Sequence, residues 1–328
     1  MKLFLRSHAS IDSTLYGERW KKLVGLFLFG LSMSFTLLGE VQAQTTRESW
    51  IVFRSDRDGN DEIYIMDANG RQVRQLTHTL PSVALEPAWS PDGRKIAFVS
   101  GQWKTDIYIM DADGDNIRRL TNDPATDRAP SWSPDGREIV FLSNRSGHSG
   151  IYVMGVDGKN VRNLSNHPGD GFPSWSPDGR SIAFDSTREG NRDIYVMDAD
   201  GGNVRRLTFH PEVDAFPAWS PDSRKMAFVR GLQGIFVMNA DGTDPHRIIE
   251  SGEDPVWSPD GTRIAFATNR LGSHDIYVTD LEGKTLLQLT KDPGYDAQPD
   301  WFDPTLPRPV SVKGKRPVLW GRIKQSSR

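Results

Sequence analysis

Short apolar runs recur along this chain without alternating with polar residues: Ile96-Ala97-Phe98-Val99, Ile139-Val140-Phe141-Leu142, Ile182-Ala183-Phe184 and Ile264-Ala265-Phe266. Runs of this length, rich in Ile, Val and Phe, suit strands buried on both faces. A polar loop follows each, often Ser-x-Arg. A second strand then begins at Ile63, Ile107, Ile151 and Ile194 in the form Ile-Tyr-x-Met, with variants at Ile235 and Ile276. An Asp-x-Asp-Gly type of turn leads to a last strand ending in Leu-Thr, at Leu76, Leu120, Leu207 and Leu289. Ahead of the first apolar run stands a tryptophan phrase. Each unit therefore offers four short strands, A to D, separated by turn chemistry.

The tryptophans set the period. Trp89, Trp132, Trp175, Trp219 and Trp257 each open Trp-Ser-Pro-Asp-(Gly/Ser), and Trp301 opens Trp-Phe-Asp-Pro; the steps are 43, 43, 44, 38 and 44 residues. A period of about 40–45 residues with four strands per unit predicts an all-β fold, a β-propeller of four-stranded antiparallel blades. In Ser-Pro-Asp-Gly the proline presets φ and the glycine accepts a left-handed conformation, so Asp92, Asp135, Asp178, Asp222 and Asp260 read as turn formers. The first ordered run, Trp50-Ile51-Val52-Phe53, is a strand B without its Trp phrase. The last, Gln298-Pro299-Asp300-Trp301, is a strand A without its apolar run. Each end carries what the other lacks. Joined, they make a sixth blade and close the ring.

These phrases together resemble the WD-like repeats of the TolB family of bacterial periplasmic propellers, over about residues 50 to 302. The resemblance implies a non-enzymatic protein-binding module that docks a lipoprotein of the cell envelope. TolB-family proteins also carry an α/β domain ahead of the propeller. Only about seven residues separate the expected cleavage site from the first strand here, so the expectation is the propeller part alone.

Composition adds an address. Arg19-Trp20-Lys21-Lys22 precedes a 16-residue apolar run, Leu23 to Leu38, and Val41-Gln42-Ala43 supplies small residues for cleavage. Residues 1–43 read as a secretory signal peptide, with an uncleaved anchor as the alternative, and the mature protein is expected to be periplasmic or secreted. The chain has no cysteine, hence no disulfide staple. The expected propeller, 44–302, holds 28 Lys and Arg against 39 Asp and Glu, about −11. Residues 303–328 hold seven basic residues against Asp303 alone. An acidic ring argues against a nucleic-acid partner. The basic tail, with Trp320, reads either as a solvated end or as a contact for an anionic envelope surface. A monomer is expected.

Candidate chemistry gathers where the D–A and B–C loops share one end of the strands. Asp127, Asp170, Asp214 and Asp296 recur there and are expected to ring the channel mouth. Four carboxylates could hold Ca²⁺, which takes oxygen ligands; the competing reading is local hydrogen bonding within each loop. No cofactor is required by any motif. His167 with Asp170 and His210 with Asp214 suggest a base and its orienter, but Asp123 and Asp292 fill the same place as the histidines. No Gly-x-Ser-x-Gly elbow occurs. Asp-Ala-Asp-Gly-Asp-Asn at 111–116 lacks the span and terminal Glu of a calcium loop and reads as a turn.

Departures from the repeat point to a surface. From Phe228 to Ile235 and from Ile248 to Trp257 the connections are shorter than in other blades. A notch in the rim is expected there. Trp103, Arg128, Phe172, Phe216 and Tyr295 fall on the same face and are the expected partner-binding residues. The leading function is therefore protein or peptide binding. A metal-assisted hydrolase or lyase acting on carbohydrate, and a structural envelope protein, are the alternatives.

Overall fold

A computed structural model describes residues 49–79, 82–165 and 167–306. The expected signal segment 1–43 and tail residues from 307 onward, Trp320 included, lie outside them. Six four-stranded antiparallel sheets make six blades. Strand A of blades 1 to 5 is Val83–Trp89, Asp127–Trp132, Asp170–Trp175, Asp214–Trp219 and Glu253–Trp257. Blade 6 takes its strand A, Ala297–Phe302, from the far end of the chain and its strands B to D, Trp50–Ser55, Glu62–Asp67 and Arg74–Gln75, from the near end. The closing register pairs Trp50 with Phe302 and Ile51 with Trp301.

The unbroken apolar runs are explained by the blade interfaces. In blade 1, Ile96 and Phe98 pack toward blade 6 with Val52, Ile63 and Leu76. Ala97 and Val99, pointing the other way, pack toward blade 2 with Trp132, Ile139 and Phe141. Alternate residues of one strand thus enter two different cores, and neither face meets water. Among the described residues the buried clusters number six, one at each junction around the ring.

The tryptophans tie neighbouring A strands. Indole N–H groups of Trp132, Trp219 and Trp257 donate to the carbonyls of Ala88, Ser174 and Ala218 in the preceding blade, at 3.0–3.1 Å. At the closure, Trp301 donates instead to the Ser49 hydroxyl, 2.6 Å. The A–B turns are built as expected. Ser90 Oγ donates to Asp92 Oδ1, which also accepts the Arg94 N–H, while Gly93 sits at φ +67°. The same Ser-to-Asp bond recurs at Asp135, Asp178, Asp222 and Asp260. Segment 111–116 is likewise a turn: Asn116 and the Asp115 N–H bond back to Asp111 and Asp113.

Candidate functional site

The recurring aspartates are buried, and they do not converge. Asp127, Asp170, Asp214 and Asp296 each sit at or next to the start of a strand A, with side chains wholly sealed from solvent. A carboxylate sealed in this way needs a counter-charge, and each of these blades provides one from the end of its own strand B or the loop just after it. Arg145 reaches both oxygens of Asp127 at 3.0 Å, and Arg57 does the same to Asp296. Arg188 meets Asp170 at 2.7 Å, and Arg230 grips Asp214 through two bonds of 2.7 and 2.8 Å. Each guanidinium also lies over the strand B Phe and strand C aromatic of its blade; Arg145, for example, is 5.0 Å from both Phe141 and Tyr152. The expected acidic ring is thus four separate Asp–Arg clasps. Among the described residues no cluster of His, Asp or Glu has the makings of a metal site. Blades 1 and 5, with Ala84 and Gly252 in place of the aspartate, lack the clasp.

The histidines serve their turns. His167 and His210 accept, through Nδ1, the N–H groups of Gly169 and Glu212, as Asp123 and Asp292 accept those of Ala125 and Gly294. A polar acceptor before the turn proline is the shared requirement. No base–nucleophile geometry results.

The channel itself is lined by a different column. Three residues before each tryptophan stand Glu86, Ala129, Phe172, Phe216, Asp254 and Gln298, each followed by proline. All six have positive φ, from 35° to 56°. A residue before proline is normally held in the extended region, so this is costly backbone. It coincides with a β-bulge in every A strand, between Leu85 and Ala88 in blade 1 for instance. The bulge turns this one side chain to the axis. Recurrence in all six blades makes the conformation a building rule, and leaves the residue type as the variable.

That variable divides the wall in two. Blades 2, 3 and 4 contribute Ala129, Phe172 and Phe216, the two rings 4.3 Å apart. Blades 5, 6 and 1 contribute Asp254, Gln298 and Glu86, linked around the ring. The Gln298 N–H donates to Asp254 at 3.2 Å, the Glu86 N–H to Gln298 at 2.9 Å, and the Ala129 N–H to Glu86 at 2.6 Å. Glu86 is further held by Arg128 at 2.6 Å. Asp254 has no ion pair among the described residues; enclosure by the wall, and then the neighbouring charge of Glu253, push its pKa up to about 7.

Of the five residues expected on the partner face, Trp103 is the one that projects freely, 93% exposed on the B–C loop of blade 1. Phe172 and Phe216 are half-buried in the channel instead, because the bulge aims them inward. Arg128 is spent on Glu86. Tyr295 is half-buried, stacked on His274 at 4.2 Å and donating to Glu253 at 2.8 Å. That burial and bond raise its pKa. Sequence reading missed three other rim residues: Leu232, Phe209 and Leu271, exposed 99%, 71% and 70%. A signal was there for one of them. Leu232 lies inside the shortened Phe228–Ile235 connection that departs from the repeat, whereas Phe209 and Leu271 lie in connections of ordinary length, where nothing in the repeat marks them.

The two shortened connections of blade 4 lie together. The shortened B–C connection of blade 4 is a single 3-10 turn, Gly231–Gln233, carrying Leu232. It lies tight against the shortened D–A connection: a Cβ on Gly234, at φ +98°, would fall 2.0 Å from the Ile249 carbonyl.

Fold and channel together define a six-bladed β-propeller of WD-like repeats. The repeats are of the TolB type: residues 81–171 match the TolB beta propeller domain family, and residues 148–234 the Tricorn protease N-terminal beta propeller domain. A protein TolB homolog of Chlorobium chlorochromatii is 36% identical over 102 residues, 26% of this chain and 23% of that protein. The chain thus spans under a quarter of that relative's length. The crystal structure of TolB from Acinetobacter baumannii superposes with a TM-score of 0.72 at 26% identity, covering 78% of this chain and 66% of that one. An oligogalacturonate lyase from Vibrio parahaemolyticus shares the fold alone, with a TM-score of 0.52, 17% identity and coverage of 73% and 74%.

Proposed function

We propose that this chain is a protein- or peptide-binding module of the cell envelope, engaging its partner on the face formed by the D–A and B–C loops. One observation carries the reading. Among the described residues the four most exposed large apolar side chains, Leu232, Trp103, Phe209 and Leu271, all lie on that face, and Leu232 sits on the shortened B–C turn of blade 4. Exposed apolar anchors on one face are what a partner buries first. TolB-type repeats agree with a binding role, and an envelope lipoprotein is the partner class this suggests. The signal-like segment, Leu23 to Leu38 followed by Val41-Gln42-Ala43, supports a periplasmic or secreted location. Among the described residues no helix is long and apolar enough to cross a membrane.

The test is comparative capture from an envelope extract, using wild type and a Trp103→Ala/Leu232→Ser/Leu271→Ser variant of equal thermal stability. Loss of a wild-type partner by the variant is expected. Equal capture by both sinks the assignment of this face. The rival reading, a metal-assisted lyase or hydrolase, would need ligands other than the four clasped aspartates; stoichiometric metal retained through dialysis would revive it. Binding of the basic tail to anionic envelope surfaces is tested separately by deleting residues 303–328.

A further inference from the structure

The channel holds a cavity of about 340 Å³, within the size range of small-molecule sites. Its lining runs from the bulge residues to the prolines of the A–B turns, so it occupies the half of the channel away from the loop face discussed above. Among the described residues three carboxylates line it, Glu86, Asp254 and Asp300, and no lysine, arginine or histidine does. Glu86 is compensated by Arg128 from one residue outside the lining. Asp300 accepts the N–H groups of Trp89 and Trp301. Asp254 faces the cavity with one backbone hydrogen bond and, among the described residues, no ion pair. Across from it stand Phe172 and Phe216, and six tryptophans with their prolines complete an apolar wall.

We propose that this cavity is a binding site for an organic cation, a primary ammonium on an aliphatic stem, with Asp254 as its counter-ion. The chemistry follows from the lining. A carboxylate enclosed by protein without a cation is costly, and an arriving ammonium supplies the missing partner. The stem lies against Phe172, Phe216 and the apolar lining of tryptophans and prolines. From the bulge residue to the tryptophan the wall is about 10 Å long, room for a lysine-length chain. A hard metal ion fits less well. Ca²⁺ needs six or more oxygens, yet Glu86 is taken by Arg128 and the Gln298 oxygen by the Glu86 N–H.

Titration of Asp254 adds a second handle. The charges facing it are Glu253 on its own strand, Glu86 on strand A of blade 1, and Arg54 on strand B of blade 6, with the Gln298 N–H from the neighbouring blade. Its pKa of about 7 means that lowering pH neutralises the counter-ion while the ammonium keeps its charge. Affinity should fall roughly tenfold per pH unit below about 7.

The experiment titrates the full chain with hexylamine, hexanol and calcium chloride by calorimetry and tryptophan fluorescence. Hexylamine should bind at least tenfold more tightly than hexanol at pH 8. Asp254→Asn, nearly the same shape, should erase that preference and its pH dependence while leaving the melting temperature within a few degrees. Phe216→Ala should weaken both organic probes together. Equal affinity for hexylamine and hexanol, unchanged hexylamine binding by Asp254→Asn, or calcium displacing the amine at equal concentration would each overturn the proposal. A parallel titration with Nα-acetyl-lysine methylamide separates sources. Tighter binding than hexylamine assigns a peptide-borne lysine, weaker binding a free amine. None of these readouts involves the loop face, so either assignment can fail alone.

Discussion

The two ends of the propeller are built to different rules. At the A–B end the blades nearly repeat one another, Ser-Pro-Asp-Gly with the same serine-to-aspartate bond in blades 1 to 5. At the opposite end connection lengths change, Leu232, Leu271 and Trp103 stand out into solvent, and charge is hidden just beneath in the Asp–Arg clasps. Uniformity marks what the ring needs in order to form. Irregularity marks what one side of the ring is free to offer.

If that contrast holds, substitutions should separate by depth and by end. The largest loss belongs to the clasps. Asp214→Ala leaves Arg230 buried without its partner and should cost about 3–5 kcal/mol, whereas Asp214→Leu/Arg230→Met should recover most of it. Chemical denaturation of the three proteins settles the point, and a double variant as unstable as the single would end the clasp account. A turn at the uniform end should matter less. Asp135→Ala removes one acceptor of the Arg137 N–H and is expected to cost about 1 kcal/mol, measured the same way. Smallest of all, Leu232→Ser and Trp103→Ala should change stability by less than about 0.5 kcal/mol. A larger loss at either would mean these tips belong to construction, and the comparison between the ends would blur.

Much of this was legible in the sequence because the chain repeats. Six copies fixed strand boundaries, turn residues and the shared sixth blade, since each copy checks the others. The four recurring aspartates were visible too, but not their direction. Whether Asp127 faces the axis or its own blade depends on a bulge two residues later, and the bulge depends on a non-glycine residue before proline taking positive φ against its usual preference. Nothing in Arg128-Ala129-Pro130 announces that. The same bulge hid the channel. Glu86, Asp254 and Gln298 look like unremarkable variation until the backbone turns them into one column, and Phe172 and Phe216 looked like rim residues for the same reason. The shortened connections, by contrast, could be counted directly, and the two lie against each other in blade 4.

One consequence reaches back to how the ring closes. Blades 1 to 5 are each made from fewer than fifty consecutive residues, contacts that are quick to form. The last sheet must instead bring Trp50 to Phe302 and Ser49 to Trp301, across some 250 positions. Loop closure over such a distance is slow relative to local pairing. A nascent chain therefore carries a strand, Trp50–Ser55, paired to Glu62–Asp67 on one edge only, its other edge open from early in synthesis until residue 302 emerges, and that strand is rich in Ile, Val and Phe. During that interval the edge can recruit a strand from another copy as readily as its own. Folding yield, more than final stability, is what this seam controls, and a circular permutant whose ends fall at a blade boundary would remove the wait.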